Sequence, residues 1–287
     1  MSAIWPGALV VVYLAVTGML LLIGRSHVQP GGLALHFGAL AAMAAATWLK
    51  TTPRWLQLWA PLLVLLFLYT EMPMLIRAAG HDTFFDASVI RWERAMFGGQ
   101  PAIEWAGRWP FRALSELLHA AYLSYYLIIV SVPAVLYLSG RREEFSEAVL
   151  VLMLTFITCF VSYIALPVSG PRYVWDSLAG AIGGRIRELA IWLLDARSSE
   201  GTAFPSSHVA VAVAQSILAV RYFGRTGLVL AVLSSALAFG AIYGGFHYAV
   251  DVVSGAFLGA VTTVLGLAAA NPLRRVQPTQ ANATAPT

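Results

Sequence analysis

Charged residues are scarce in this sequence: they make up 11% of its 287 residues, whereas 59% are hydrophobic. Soluble domains usually contain about 25% charged and about 45–50% apolar residues. Apolar runs recur along the whole chain, and no polar linker divides it. These features exclude an ordinary soluble protein and predict a single polytopic membrane domain over residues 1–275. Residues 276–287, rich in Pro, Thr, Ala and Gln, are predicted to form a disordered tail.

Cysteine and lysine are nearly absent, with one residue of each, Cys159 and Lys50. A single cysteine excludes an intrachain disulfide, a thiolate metal cluster and Cys-X-X-Cys redox chemistry. The formal charge of +4 comes from seventeen arginines and that one lysine, which are spread singly or in pairs. Because no basic block is present, no nucleic-acid partner is expected.

Apolar runs long enough to cross a bilayer as a helix, which takes about 20 residues, occur eight times. The sequence therefore predicts an all-α integral membrane fold with about eight transmembrane helices. The first run is predicted to be a retained span, because no basic n-region and no small-residue cleavage site accompany it. The predicted spans are residues 5–24, 33–49, 55–78, 116–139, 146–168, 205–222, 227–245 and 247–270.

Two long connections differ in composition from simple loops. Residues 79–113 interleave aromatic residues with arginines, and residues 176–196 mix apolar residues with arginines and a glutamate. Both mixtures are typical of segments that lie in the membrane interface. Interfacial helices are therefore predicted, with a lid over a lipid-facing site as the alternative.

Basic residues concentrate in the short connections at one end of the predicted spans. They are Lys50 with Arg54, Arg141 with Arg142, Arg221 with Arg225, and Arg274 with Arg275. Since cytoplasmic loops carry an excess of Lys and Arg, this end is predicted to be cytoplasmic. Both termini then lie inside a plasma-membrane protein, and the spans at 205 and 247 begin at the outer face.

Ionisable residues stand at the heads of those two outward-facing spans, where they are costly unless they face protein or water. His247 and Asp251 are four residues apart, so a helix from Tyr248 onward places them on one face. A carboxylate on one imidazole nitrogen fixes the tautomer and makes the other nitrogen a better nucleophile. The pair therefore predicts a catalytic nucleophile; a helix-start histidine with a structural aspartate is the alternative.

The other of these two spans begins with Pro205-Ser206-Ser207-His208, so His208 can converge with His247. Serine hydroxyls and the free N–H groups of a helix N-terminus form a natural cradle for phosphate. Ser206 and Ser207 are thus predicted to bind phosphate, and an ordinary N-cap is the alternative.

Gly170-Pro171-Arg172-Tyr173 ends the fifth predicted span on the same outer face. A guanidinium there can hold phosphate oxygens in a bidentate fork. Arg172, with its neighbour Tyr173, is therefore predicted to bind the substrate; interfacial anchoring is the alternative.

The motif Pro205-Ser206-Ser207-His208 followed by His247-X-X-X-Asp251 resembles the second and third motifs of the type 2 phosphatidic acid phosphatase superfamily. The resemblance covers about residues 145–270 and implies a catalytic helical-bundle core there. It implies a lipid phosphate substrate, a nucleophilic His247 that becomes phosphohistidine, an orienting Asp251 and an acid, His208. It implies neither a metal nor a cofactor.

The sequence departs from the family pattern at its cations. The first motif needs a lysine, yet Lys50 is predicted on the opposite face, and Pro171-Arg172 reverses the expected Arg-Pro order. Gly240 and Ala241 occupy the positions of the Ser-Arg in the third motif. In these losses the sequence is similar to the branch that contains the aureobasidin-resistance type inositolphosphotransferases and sphingolipid synthases. Hydrolysis and head-group transfer therefore both stay open.

Two other classes of function also stay open. A transporter or scramblase could use the histidines and the aspartate as a proton relay. Alternatively, His208, His247 and Asp251 could form a two-histidine, one-carboxylate metal site.

Overall fold

The computed structural model describes residues 4–25, 28–175, 183–197 and 199–275; the predicted tail at 276–287 lies outside them. Within these ranges the chain is helical and without named strands, with one isolated bridge between Val168 and Thr202. The prediction of an all-α fold is confirmed. The helices are α1 (Ile4–Ile23), α2 (Pro30–Trp48), α3 (Arg54–Leu63), α4 (Leu65–Thr70), α5 (Met72–Ala78), α6 (Asp86–Phe97), α7 (Pro101–Arg108), α8 (Arg112–Leu123), α9 (Tyr125–Leu138), α10 (Arg142–Ala165), α11 (Pro171–Val174), α12 (Arg185–Arg197), α13 (Ser207–Phe223), α14 (Leu228–Tyr243) and α15 (Ala249–Arg275).

Six helical stretches of the described chain are long and apolar enough to cross a membrane, or seven if a bent helix pair is one span. The six are Trp5–Ile23, Pro30–Trp48, Arg112–Leu138, Arg142–Ala165, Ser207–Tyr243 and Ala249–Ala270. These helices confirm an integral membrane protein. By the criteria of length and composition their number is six or seven, which does not confirm the predicted eight.

The stretch Ser207–Tyr243 consists of two helices, α13 and α14, joined by a 3-10 turn at Gly224–Gly227. Ser216 Oγ of α13 lies 2.8 Å from Ser234 Oγ of α14. In one continuous helix these residues would be about 27 Å apart, because each residue adds about 1.5 Å. The two helices therefore fold back along each other.

The predicted span 55–78 forms three helices, α3 to α5, with a bend of 58° between Thr70 and Met72. Pro73 contributes to the break, since it has no N–H to continue the helical hydrogen bonds. Glu71 at the break is buried, and both its carboxylate oxygens lie 3.0 Å from Nδ1 of His36. The other ring nitrogen of His36 lies 2.9 Å from the carbonyl oxygen of Leu14. The buried His36–Glu71 pair thus links α1 and α2 to the broken segment.

Small residues set the distance between α13 and α15, the two helices that follow the histidine motifs. A Cβ atom at Gly255 or Gly259 of α15 would collide with the carbonyl oxygen of Ser206 or Ala210 of α13. This four-residue spacing of glycines is the pattern that lets membrane helices approach closely. It keeps the N-terminal ends of α13 and α15 side by side.

Helix α10 packs on both α13 and α15. Thr155 Oγ1 of α10 lies 2.7 Å from Thr262 Oγ1 of α15, and both side chains are buried. Helices α6 and α7 form within the predicted interfacial segment 79–113, and α6 packs on α15. Helix α12 packs on α8, whose Glu116 accepts a hydrogen bond from the N–H of Ile186 at 3.1 Å. Of the predicted site residues, His208 and Asp251 therefore lie on α13 and α15, whereas Arg172 and Tyr173 lie on α11.

Candidate active site

The structure brings the two motif histidines together, with ring centroids 5.8 Å apart. His208 is the second residue of α13, and His247 lies in the turn between α14 and α15. Gly245 has a φ of +69°, a conformation that favours glycine, and it turns the chain there. The close packing of α13 on α15 thus produces the proximity that the sequence predicted.

His247 has one nitrogen engaged with acceptors. Its Nδ1 lies 3.1 Å from the carbonyl oxygen of Ala203 and 3.5 Å from Oδ2 of Asp251. A carbonyl and a carboxylate accept hydrogen bonds and do not donate them, so Nδ1 carries the proton in the neutral ring. The lone pair is then on Nε2, the nitrogen available for attack on an electrophile.

Asp251 reaches His247 in a different way from the predicted shared helix face, because α15 begins at Ala249 and His247 precedes it. The carboxylate folds back over the start of the helix, where Oδ2 accepts the N–H of Tyr248 at 2.9 Å. The carbonyl oxygen of Asp251 also accepts the N–H of Ser206 at 3.0 Å. Asp251 therefore caps α15, contacts the histidine and joins the two motifs.

His208 is held between aromatic rings. Its ring stacks on Tyr122 at a centroid distance of 5.2 Å and packs against Tyr125 at 4.2 Å. Its Nε2 lies 3.5 Å from the hydroxyl of Tyr122, and its buried Nδ1 has no hydrogen-bond partner within the described chain. The ring is thus oriented by packing and keeps a nitrogen free for proton transfer.

A family model of the PAP2 superfamily matches residues 87–265, well over half of the chain. The chain belongs to the PAP2 superfamily. No curated protein and no solved structure gives a significant match. The resemblance drawn from the two motifs is confirmed at the level of the superfamily. Membership indicates a membrane enzyme of lipid phosphatase type that carries out phosphoryl transfer on a lipid substrate.

The matched region of this PAP2 protein begins well before residue 145 and takes in most of α6. Two acidic residues of α6 contact the third motif, and neither was predicted to be a site residue. Asp86 accepts hydrogen bonds from the N–H groups of Ser169 and Gly170 and from the hydroxyl of Tyr248, all at 2.9 Å. Glu93 Oε1 accepts the N–H of Ala249 at 3.0 Å. The available signal was their seven-residue spacing, which places both on one helix face.

Ser206 and Ser207 are buried at the head of α13. The hydroxyl oxygen of Ser206 accepts the N–H of Val209, an N-cap contact at 3.4 Å. The N–H of Ser207 donates to the hydroxyl of Tyr163 at 3.2 Å, and that hydroxyl donates to the carbonyl oxygen of Pro205. Two N–H groups of the predicted cradle are therefore already engaged. The phosphate-binding role of the serines stays a prediction.

Arg172 lies on the short helix α11 and forms an ion pair with Asp195 of α12 through Nη2. Its Nη1 is buried and makes no hydrogen bond to the part of the chain that is described. Tyr173 is 42% exposed, and its ring centroid lies 5.1 Å from Cζ of Arg172. Nη1 is thus the part of the guanidinium that has no partner among the described residues, and the phosphate-binding role of Arg172 and Tyr173 stays a prediction.

The structure shows the surroundings of two positions at which the chain departs from the PAP2 motif pattern. Lys50 is exposed in the turn after α2. A Cβ atom at Gly240, where the pattern has serine, would collide with the carbonyl oxygen of Leu118. Glycine at this position lets α14 pack closely on α8, the helix that carries Tyr122.

The metal-site alternative has no geometric counterpart in the described residues. Among them, no group of three or more His, Cys, Asp or Glu side chains is arranged to hold a metal ion. Nδ1 of His247 faces Asp251 itself, an arrangement typical of a histidine oriented by a carboxylate.

Proposed function

We propose that this PAP2 protein cleaves or transfers the phosphoryl group, or a phosphoryl head group, of a lipid phosphate ester through a phosphohistidine on His247, without a metal or cofactor. The observation that carries the proposal is the pair of acceptors at Nδ1 of His247, Ala203 and Asp251. They leave Nε2 as the nucleophilic nitrogen. The second histidine, with its ring centroid 5.8 Å away, supplies a separate acid.

The proposed reaction has two displacements at phosphorus. In the first, Nε2 of His247 forms a bond to phosphorus, the bond to the ester oxygen breaks, and protonated His208 gives that oxygen a proton. In the second, neutral His208 takes a proton from water or an alcohol, whose oxygen attacks phosphorus and releases His247. Two imidazoles are needed because nucleophile and acid act on opposite sides of an in-line displacement. Asp251 balances the positive charge that forms on the ring of His247.

Head-group transfer to an alcohol, as in the inositolphosphotransferase-like branch, is the second candidate; the motif losses at Gly240 and Ala241 favour it. The test is incubation of purified protein with a panel of labelled lipid phosphate esters, with and without alcohols such as inositol, and with and without a chelator. We expect chelator-resistant release of phosphate in a hydrolase, or a labelled alcohol ester in a transferase. If no ester on the panel were turned over, the proposal would be rejected.

Arg172 is proposed to bind the phosphoryl oxygens in place of the missing first-motif lysine. We expect Arg172→Lys to lower kcat/KM by about 10- to 100-fold, because hydrogen bonds to charged groups contribute about 1.5–3 kcal/mol and a lysine cannot form the fork. Steady-state kinetics on the best ester checks this. Arg185→Lys, the same change at an exposed position of α12, is the control and should behave like the wild type. Wild-type kinetics in Arg172→Lys would make Arg172 an interfacial anchor.

The active site is proposed to face outward from a plasma membrane, with eight spans and both termini in the cytoplasm. Counting α13 and α14 as two spans and α3–α5 as one bent span gives that even number. In a Cys159→Ala background, an impermeant thiol reagent added to intact cells should label Glu188→Cys on α12. It should label Arg225→Cys, in the α13–α14 turn, after lysis. The opposite pattern would invert the proposed topology.

A further inference from the structure

Glu93 on α6 is a buried carboxyl that the proposed reaction does not use. Its side chain is 0% exposed, and Oε1 accepts the N–H of Ala249, the first residue of α15, at 3.0 Å. Asp251 accepts the neighbouring N–H of Tyr248. Two carboxyls from different helices thus hold consecutive N–H groups at the start of α15. Negative charge is favoured at a helix N-terminus, because the N–H dipoles point toward it.

The surroundings of Glu93 bring the pKa of its carboxyl close to neutral pH. Burial raises the pKa of Glu93 to about 7, and the negative charge of Asp251 acts in the same direction, whereas the hydrogen bond from Ala249 lowers it. The other charged group that acts on Glu93 is Glu104 of α7, which also raises its pKa. None of the ion pairs found among the described residues includes Glu93. Glu93 therefore changes between a neutral and a charged form around neutral pH.

We propose that Glu93 is a positioning residue for the His247–Asp251 pair, and that its negative charge strengthens His247 as a nucleophile. The inference rests on the proposed function. In the transition state the ring of His247 becomes positively charged, and a second carboxylate behind Asp251 stabilises that charge. The same carboxylate accepts the N–H of Ala249 more strongly than a neutral carboxyl does. The charged form of Glu93 thus favours phosphoenzyme formation in two ways.

The variant Glu93→Gln separates the charge from the hydrogen bond, because the amide oxygen still accepts the N–H of Ala249. Below about pH 6 the wild-type carboxyl is mostly neutral, so we expect both proteins to form phosphoenzyme at about the same rate. Above about pH 8 we expect the wild type to be about three- to tenfold faster, since one nearby charge changes a basicity by about one pKa unit or more. Rapid-quench rates between those limits should show the ratio rising with a midpoint near pH 7.

Glu143→Gln is the matched control, since Glu143 is an exposed acid at the start of α10 whose charge does not contribute to the pKa of Glu93. Its rate should follow the wild type at every pH. A wild-type to Glu93→Gln ratio that stays constant with pH would overturn the inference and leave Glu93 a purely structural cap.

A second measurement does not depend on the variant folding. Infrared spectra of the wild type should contain the band of a buried protonated carboxyl that disappears with a midpoint near pH 7. Absence of such a titration would contradict the inference. An enzyme that turns over no lipid phosphate would instead reject the proposed function, whereas an active enzyme with a constant ratio rejects the role of Glu93 alone.

Discussion

His247→Ala should form no phosphoenzyme and should turn over at the background rate. The expected loss in kcat is on the order of 10⁶-fold, the size seen when a catalytic nucleophile or its base is removed from a protease. The reason is that no other side chain in the described site pairs a free ring nitrogen with a carboxylate at the opposite nitrogen. Rapid-quench trapping of acid-labile, base-stable phosphate on the protein is the measurement.

His208→Ala is the matched comparison, because it removes an imidazole 5.8 Å away and leaves the nucleophile in place. It should slow phosphoenzyme formation from alkyl esters and have little effect with a nitrophenyl ester, whose leaving group needs no acid. Normal amounts of phosphoenzyme from His247→Ala would move the nucleophile to His208 or to a hydroxyl such as Ser206.

Asp251→Asn should lower the rate of phosphoenzyme formation by about 10²-fold or more, because the developing charge on His247 loses its balancing carboxylate. In the serine-protease triad the same change costs about 10⁴-fold, since it selects the wrong histidine tautomer. Here the N–H of Tyr248 requires an oxygen at the Oδ2 position, and Ala203 still accepts from Nδ1. The correct tautomer is therefore kept, and we expect a loss below that of the triad.

Single-turnover rates of Asp251→Asn and Asp251→Ala distinguish the two functions of this residue. Asp251→Ala also removes the acceptor for Tyr248, so it should lower the melting temperature in detergent, whereas Asp251→Asn should leave it nearly unchanged. A rate for Asp251→Asn equal to that of the wild type would mean that the carboxylate only caps α15.

The class of fold and the centre of the site could be predicted from the sequence, because both depend on local sequence pattern. Apolar runs of about 20 residues indicate membrane helices, and His208, His247 and Asp251 lie at the ends of such runs. The break at Glu71 was not predicted, since it depends on a partner, His36, that is 35 residues away in the chain. The composition of residues 55–78 gives no measure of that interaction.

The residues around the central pair were harder to predict for the same reason. Asp86 and Glu93 become site residues through contacts with Tyr248 and Ala249, more than 150 residues away in sequence. The contact between His247 and Asp251 was predicted, but the additional hydrogen bond from the N–H of Tyr248 to Asp251, just before α15 begins at Ala249, was not. The seven-residue spacing of Asp86 and Glu93 indicates a shared helix face, but it does not identify the partners of these side chains.

The central claim, a phosphoryl group carried by His247, is tested most directly by mapping the label in the trapped intermediate. Purified protein is mixed with a labelled lipid phosphate ester that it turns over, quenched within one turnover at alkaline pH and digested, and the labelled peptide is sequenced by mass spectrometry. The account predicts one labelled residue, His247, with phosphate on Nε2. Label on Ser206 or His208, or turnover without any labelled residue, would contradict it.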